Sequence, residues 1–142
     1  MQTTKRERLK NLYEKYQLSK EDIFSLKFGS VSTPIITRTG IDKIQGIAKI
    51  KIQFSEIEYQ PGISAAVKAT ATLGDNYVES YGEANNKNNK NPYPLAMAEK
   101  RAMSRVILKL TGFYELGVFG EDESDSFKKE ETKQVSSYNI NN

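Results

Sequence analysis

Three cations recur at four-residue spacing in the second half of the chain: Arg101, Arg105 and Lys109. On a helix such a row runs along one flank, where it can follow the phosphates of a polyanion. A solvated helix flank has the same spacing. A second basic set, Lys49, Lys51 and Lys68, falls where apolar and polar residues alternate, with Tyr77 and Tyr81 close by. Charge and rings together on one sheet face can hold a single nucleic-acid strand by phosphate contact and base stacking. An ordinary solvated sheet face would carry similar residues. Lys87 and Lys90 stand in an Asn-rich run, residues 84–91, which would either close over a bound strand or serve only as a linker.

The acids give a weaker pattern. Glu56, Glu58, Asp75, Glu79 and Glu99 are those a metal-dependent nuclease would have to use, yet no two stand at a recognisable metal-binding spacing with a neighbouring Lys. Glu99 falls inside the apolar arc of a helix, so it is expected to find a structural partner or a subunit contact there. With no Cys and no His, thiol catalysis, zinc knuckles and Ser-His-Asp or Cys-His machinery are excluded within the chain. No G-x-x-x-x-G-K-[ST] run is present, so no P-loop ATP engine is encoded. The expectation is a binding protein rather than an enzyme, with no metal and no cofactor.

Composition is consistent with that. The chain has 142 residues and a net charge of +3, but from Glu121 onward six acids face three lysines. The preceding 120 residues are therefore more basic than the total suggests, the balance of a protein that meets polyanions. A hydrophobic content of 37% is low for a globule and implies that part of the chain lies outside the core. No apolar run approaches the roughly 20 residues of a membrane span, and the N-terminus lacks the apolar stretch of a secretory signal. A cytoplasmic protein is expected.

Periodicity places these residues on elements. Leu9, Leu12, Tyr13 and Tyr16 predict a helix over residues 6–16. Ser19 and Asp22 resemble a capping pair for a short helix through Leu26. The chain turns around residues 28–34, Ile35 to Thr37 read as a short strand, and Thr39 can cap a helix over 40–45. Strict alternation from Ala48 to Phe54, a Pro61-Gly62 turn, and alternation from Ile63 to Leu73 predict a hairpin with Phe54 opposite Ala69 and Ile52 opposite Ala71. Near the turn the polarity inverts at Glu56, Ile57, Glu58 and Tyr59, which requires either a bulge or a tip reaching beyond the core. A third strand follows over 77–84. Pro92 or Pro94 then opens the longest helix, and Gly112 ends it. Its apolar arc is Leu95, Ala98, Ala102, Met103, Val106, Ile107 and Leu110, with Lys100 near one boundary and the Arg101 row beside the other.

The predicted fold class is therefore α+β: a three-stranded antiparallel β-meander packed on a long C-terminal helix, with short N-terminal helices. Residues 1–32 form an N-terminal helical segment, 33–120 the β-β-β-α core, and 121–142 a disordered acidic and polar tail.

The stretch from Tyr93 to Gly112, with A-E-K-R-A-x-S-R-x-x-L-K-L-x-G as its most specific run, resembles the final core helix of phage and bacterial members of the Rad-fifty-two superfamily of single-strand annealing proteins. Ile36 to Ile41 is similar to the segment that leads into such domains, and the resemblance covers roughly residues 33–120. It implies ATP-independent binding of single-stranded DNA and annealing of complementary strands in phage-type recombination or repair. It also implies assembly of copies into a ring or filament, with a host or phage single-strand-binding protein or nuclease as a further partner. The DNA-binding residues it points to, taken with the charge pattern, are Lys49, Lys51, Lys68, Lys87, Lys90, Lys100, Arg101 and Arg105. The alternatives are a metal-dependent nuclease, or a basic assembly protein without annealing activity.

Overall fold

The structure is a computed structural model that describes residues 4–89 and 92–123. Its elements are α1 (Lys5–Lys15), a 3-10 turn (Lys20–Asp22), β1 (Ile23–Phe28), β2 (Val31–Ile36), α2 (Arg38–Ala48), β3 (Lys51–Gln60), β4 (Ser64–Leu73), β5 (Asn76–Ala84) and α3 (Pro94–Thr111). A 3-10 turn (Tyr114–Leu116), β6 (Phe119–Gly120) and a last 3-10 turn (Glu121–Glu123) follow. The described chain is α+β, with two three-stranded sheets, β1-β2-β6 and β3-β4-β5. None of its helices is long and apolar enough to cross a membrane.

In the sheet β3-β4-β5 both pairings are antiparallel. Phe54 pairs with Ala69 and Ile52 with Ala71, the register that apolar-on-apolar matching requires. The connection is one residue longer than Pro61-Gly62 alone, because Gln60 pairs with Ser64 and leaves Pro61, Gly62 and Ile63 in the turn. A bulge at Ile57, between Glu56 and Glu58, absorbs the extra residue. It also resolves most of the polarity inversion: beyond the bulge, Tyr59 returns to the side of buried Ala65 and Glu58 goes to the other face opposite Ala66, while Glu56 stays opposite buried Val67.

One face of this sheet is core. Ala65, Val67, Ala69 and Ala71 of β4 are buried, as are Ala98, Ala102 and Val106 of α3, which lies across β4 and β5. Small side chains set the distance between helix and sheet. A Cβ on Gly82 of β5 would fall on the carbonyl oxygen of Ala98 and lie 2.5 Å from the backbone nitrogen of Ala102, so only glycine permits this approach. Pro94 opens α3 at its first turn, and Gly112, at φ 92°, closes it in the left-handed region. Beyond it, Phe113 is fully buried, with its ring 5.8 Å from Tyr13 and 5.9 Å from Tyr16, which docks the amphipathic face of α1.

The second sheet departs from the expected N-terminal helical segment. Ser19 and Asp22 do form a reciprocal capping box, but it starts only a 3-10 turn, and the β-favouring Ile23, Phe24 and Phe28 continue as strand. The reversal is confined to Gly29-Ser30, and β1 pairs with β2 from Ile23–Ile36 to Phe28–Val31. That pairing runs across the boundary expected at residue 32. Helix α2 begins two residues earlier than anticipated, because Thr37 rather than Thr39 caps it, through the N–H of Gly40. Glu121–Glu123, expected to begin a disordered tail, are folded onto the body, whereas residues 124–142 lie outside the described residues.

Candidate nucleic-acid interface

The cation row of α3 is structural. Arg101 is 2% exposed. Its Nη1 donates to the Glu83 carbonyl at 2.6 Å and to Asn88 Oδ1 at 3.1 Å, its Nη2 to the Asn88 carbonyl at 2.7 Å, and its Nε to the Asp122 carbonyl at 3.1 Å. A guanidinium so enclosed ties the end of β5, the following loop and the last turn to α3, and it has no face left for phosphate. One turn on, Arg105 pairs with Glu123 at 2.8 Å and donates to the Tyr81 carbonyl. Lys109 donates to Ser80 Oγ and lies 5.1 Å from the centroid of Tyr114. The expected rail of cations is thus turned onto β5 and the acidic turn: of the residues expected to bind DNA, Arg101 is enclosed, and Arg105, partly exposed, is paired within the chain.

The acidic turn and the Asn-rich loop are the parts that the sequence pattern did not place. Asp122 accepts from the Ser104 hydroxyl at 2.9 Å and lies 3.6 Å from Arg38. Glu121 accepts from the N–H of Arg38. Gly120 makes this seat possible, since a Cβ there would meet Ser104 Cβ at 2.8 Å. In the loop, Asn85 Oδ1 accepts from the N–H groups of Lys87 and Asn88, while Asn88 Oδ1 accepts from the N–H of Asn85. This local network shapes the loop to receive Arg101, which a featureless polar linker could not do. The one available signal was the juxtaposition of three consecutive acids with arginines spaced four apart.

A further cation is tied elsewhere. Lys43 of α2 lies 2.7 Å from Asp22, which is buried. Burial alone would raise the Asp22 carboxyl, but hydrogen bonds from Lys43 and from the Ser19 N–H and hydroxyl, with the Lys43 charge, outweigh it and hold the group below the usual carboxylate range.

The outer face of β3-β4-β5 is different. Register puts Lys51, Thr72 and Tyr77 in one row across the three strands, Gln53, Thr70 and Glu79 in the next, and Ser55, Lys68 and Tyr81 in a third. Tyr77 is 66% exposed and Tyr81 48%, although both could have been packed inward had the register slipped by one. Two rows therefore carry a lysine and an exposed ring each, about 13 Å apart along the strands. Lys51 has no ion pair among the described residues, and Lys68 has a loose one, 3.9 Å from Glu79. Polar Gln53, Thr70 and Thr72 fill the ground between.

Of the predicted site residues, the fold thus puts Lys51 and Lys68 on one sheet face. Lys49 is not on the strand: α2 runs three residues further than expected, and Lys49 ends it at φ 58°, next to the sheet's first residues. Lys100 is exposed on α3, which covers the opposite face of the sheet. Lys87 lies in the loop beyond β5, and Lys90 falls outside the described residues. Glu99, expected inside the apolar arc with a partner, is exposed, because the buried side of α3 runs through Ala98, Arg101, Ala102 and Leu108 and so lies rotated from the predicted arc. Glu79 faces Lys68, Asp75 sits in the β4–β5 turn, and no group of three or more Asp or Glu side chains placed to hold a metal ion occurs among the described residues. No family model, curated protein or solved structure matches this chain.

Proposed function

We propose that this chain binds single-stranded DNA across the outer face of β3-β4-β5 and anneals complementary strands without ATP, acting with other copies of itself. The observation that carries the reading is the pair of lysine–tyrosine rows, Lys51 with Tyr77 and Lys68 with Tyr81, on a polar sheet face. Lysines neutralise phosphates at low geometric cost, and exposed rings give successive bases a stacking surface that is indifferent to sequence. Annealing asks for nothing more reactive: strands are held with their charge offset, and pairing does the rest. The β-β-β-α order from β3 to α3 and the resemblance of α3 to the annealing superfamily support the same reading. In this reading the most specific part of that run, with Arg101, Ser104 and Arg105, is a fold-setting motif and the sheet supplies the contacts.

The test uses two complementary labelled oligonucleotides. With the protein and no nucleotide they should anneal faster than alone, and the gain should shrink as salt rises. Binding without any acceleration would make it a coating protein. No binding at low salt would remove the proposal.

A further inference from the structure

The two edges of β3-β4-β5 are unlike. At β5, the carbonyls of Tyr81 and Glu83 accept from Arg105 and Arg101, so side chains occupy part of that edge. At β3, ten residues long, every ladder pairing is to β4, and no strand pairs with its far side among the described residues. The same strand carries apolar surface that the fold leaves exposed. Across one inner-face row, Ser80 is 6% exposed and Ala69 0%, but Phe54 is 40%. Ile57, Tyr59 and Ile63 extend this exposed surface toward the β3–β4 turn. A long edge with exposed apolar side chains is a template for strand pairing.

We propose that β3 pairs antiparallel with β3 of a second copy about a two-fold axis at Phe54, joining two sheets into one of six strands. The charge pattern of the strand selects this occupant. With Phe54 opposite Phe54 of the second copy, Gln53 meets Ser55, and the bulge at Ile57 brings Glu58 into the outer-face alternation opposite Lys51. The two-fold repeats that lysine–glutamate pair on the other side of the axis. Opposite charges then face each other across the new ladder, where a slip of two residues would break both pairs. The two Phe54 rings meet on the inner face, covering the apolar surface that the fold leaves exposed. An isologous contact of this kind closes as a dimer, so a ring or filament would need a second surface.

This inference deepens the assembly part of the proposed function; Lys51 belongs to both parts, so the dimer is tested without DNA, and Phe54, which lies on the other face from the proposed strand contacts, carries the crosslinking arm. The chain has no cysteine, which makes single introduced thiols unambiguous. Residues facing each other in an antiparallel pair have Cα atoms roughly 4.5–5.5 Å apart, within disulfide range. Under mild oxidation Phe54→Cys should convert to a covalent dimer at least tenfold faster than Val31→Cys, an exposed position in the other sheet. Sedimentation should show a dimer for the unmodified chain, a shift toward monomer for Lys51→Glu, and recovery for Lys51→Glu with Glu58→Lys. Equal crosslinking rates for the two cysteine variants would overturn the proposal, whatever the mass of the assembly. A folded monomer at about 100 micromolar, well above the range of a specific dimer, would overturn it as well.

Discussion

Two sets of cations in this protein carry the same charge and stand in opposite surroundings. Arg101, Arg105 and Lys109 lie along α3 and spend their hydrogen bonds on carbonyls, a hydroxyl and an acidic turn of the same chain. Lys51 and Lys68 stand on the outer face of the sheet, where Thr, Gln and Tyr surround them and one loose ion pair engages Lys68. The difference follows from the side of the sheet each occupies. The inner side has to be closed by α3, the Asn-rich loop and Glu121–Glu123, and arginine's rigid fork can satisfy several buried acceptors at once. The outer side has nothing to close, and lysines there keep their charge for solvent or a ligand. A basic row on a helix is therefore poor support for a polyanion site until its partners are known.

The sharpest way to break this contrast is to truncate Arg101. Arg101→Ala removes the donor that buried Arg101 supplies to the carbonyls of Glu83, Asn88 and Asp122, and about 3–5 kcal/mol of stability should be lost in urea unfolding. Arg101→Lys should recover only part of this, because an ammonium lacks the planar fork of donors that a guanidinium presents. If Arg101→Ala instead folds with native stability and loses DNA binding, the helix row is the site and the assignment of the two regions reverses.

How far the sequence led depended on whether an interaction was periodic or singular. Alternation at Ile50, Ile52 and Phe54 against Ala69, Ala71 and Leu73 was enough to give the register of β3 with β4, because a slip of one residue would expose every apolar side chain. Pro94 and Gly112 bounded α3 because each acts locally on the backbone. The bulge at Ile57 was one of two open explanations, since a polarity inversion does not say which residue the ladder skips. The burial of Arg101 had no periodic signature at all. It depends on Asn88 and Asp122, far apart in sequence and brought together by the fold. Similarly, β1 was hidden behind a genuine capping pair, Ser19 and Asp22, which starts a turn but cannot impose helix on Ile23 and Phe24.

Removing a ring from the outer face should have the next largest effect. Tyr77→Ala is expected to weaken single-stranded DNA binding by about 1–3 kcal/mol, roughly 5- to 150-fold, with Tyr77→Phe close to the parent. Because Tyr77 is exposed, thermal stability should change by no more than about 0.5 kcal/mol. Equal affinities for the three proteins would leave the face with charge alone and remove stacking from the proposal.

Asp22 sharpens the tied side of the comparison through pH. Its folded-state pKa lies below the ordinary carboxylate value, so the unfolded chain takes up the proton first. The stabilisation is complete above the unfolded value of about 4 and is lost as pH falls through the lower folded value. Asp22→Asn should therefore cost about 1–2 kcal/mol at pH 7 and flatten the fall in stability below about pH 4. An unchanged acid limb in this variant would mean that Lys43 is not held by a charged Asp22.

The smallest change is also the one that separates the two regions most directly. Each phosphate contact on a single strand contributes about 0.7 to the slope of log affinity against log salt. Lys51→Ala with Lys68→Ala should lower that slope by up to about 1.4 while leaving stability nearly unchanged, since neither lysine holds a buried partner. Arg105→Ala should do the opposite, costing stability through the loss of Glu123 and the Tyr81 carbonyl and leaving the slope where it was. Affinity alone cannot make this distinction, because a partly unfolded variant also binds less. The slope counts counterions released by the folded complex, so it reports which side of the sheet the strand occupies even when the affinities are similar.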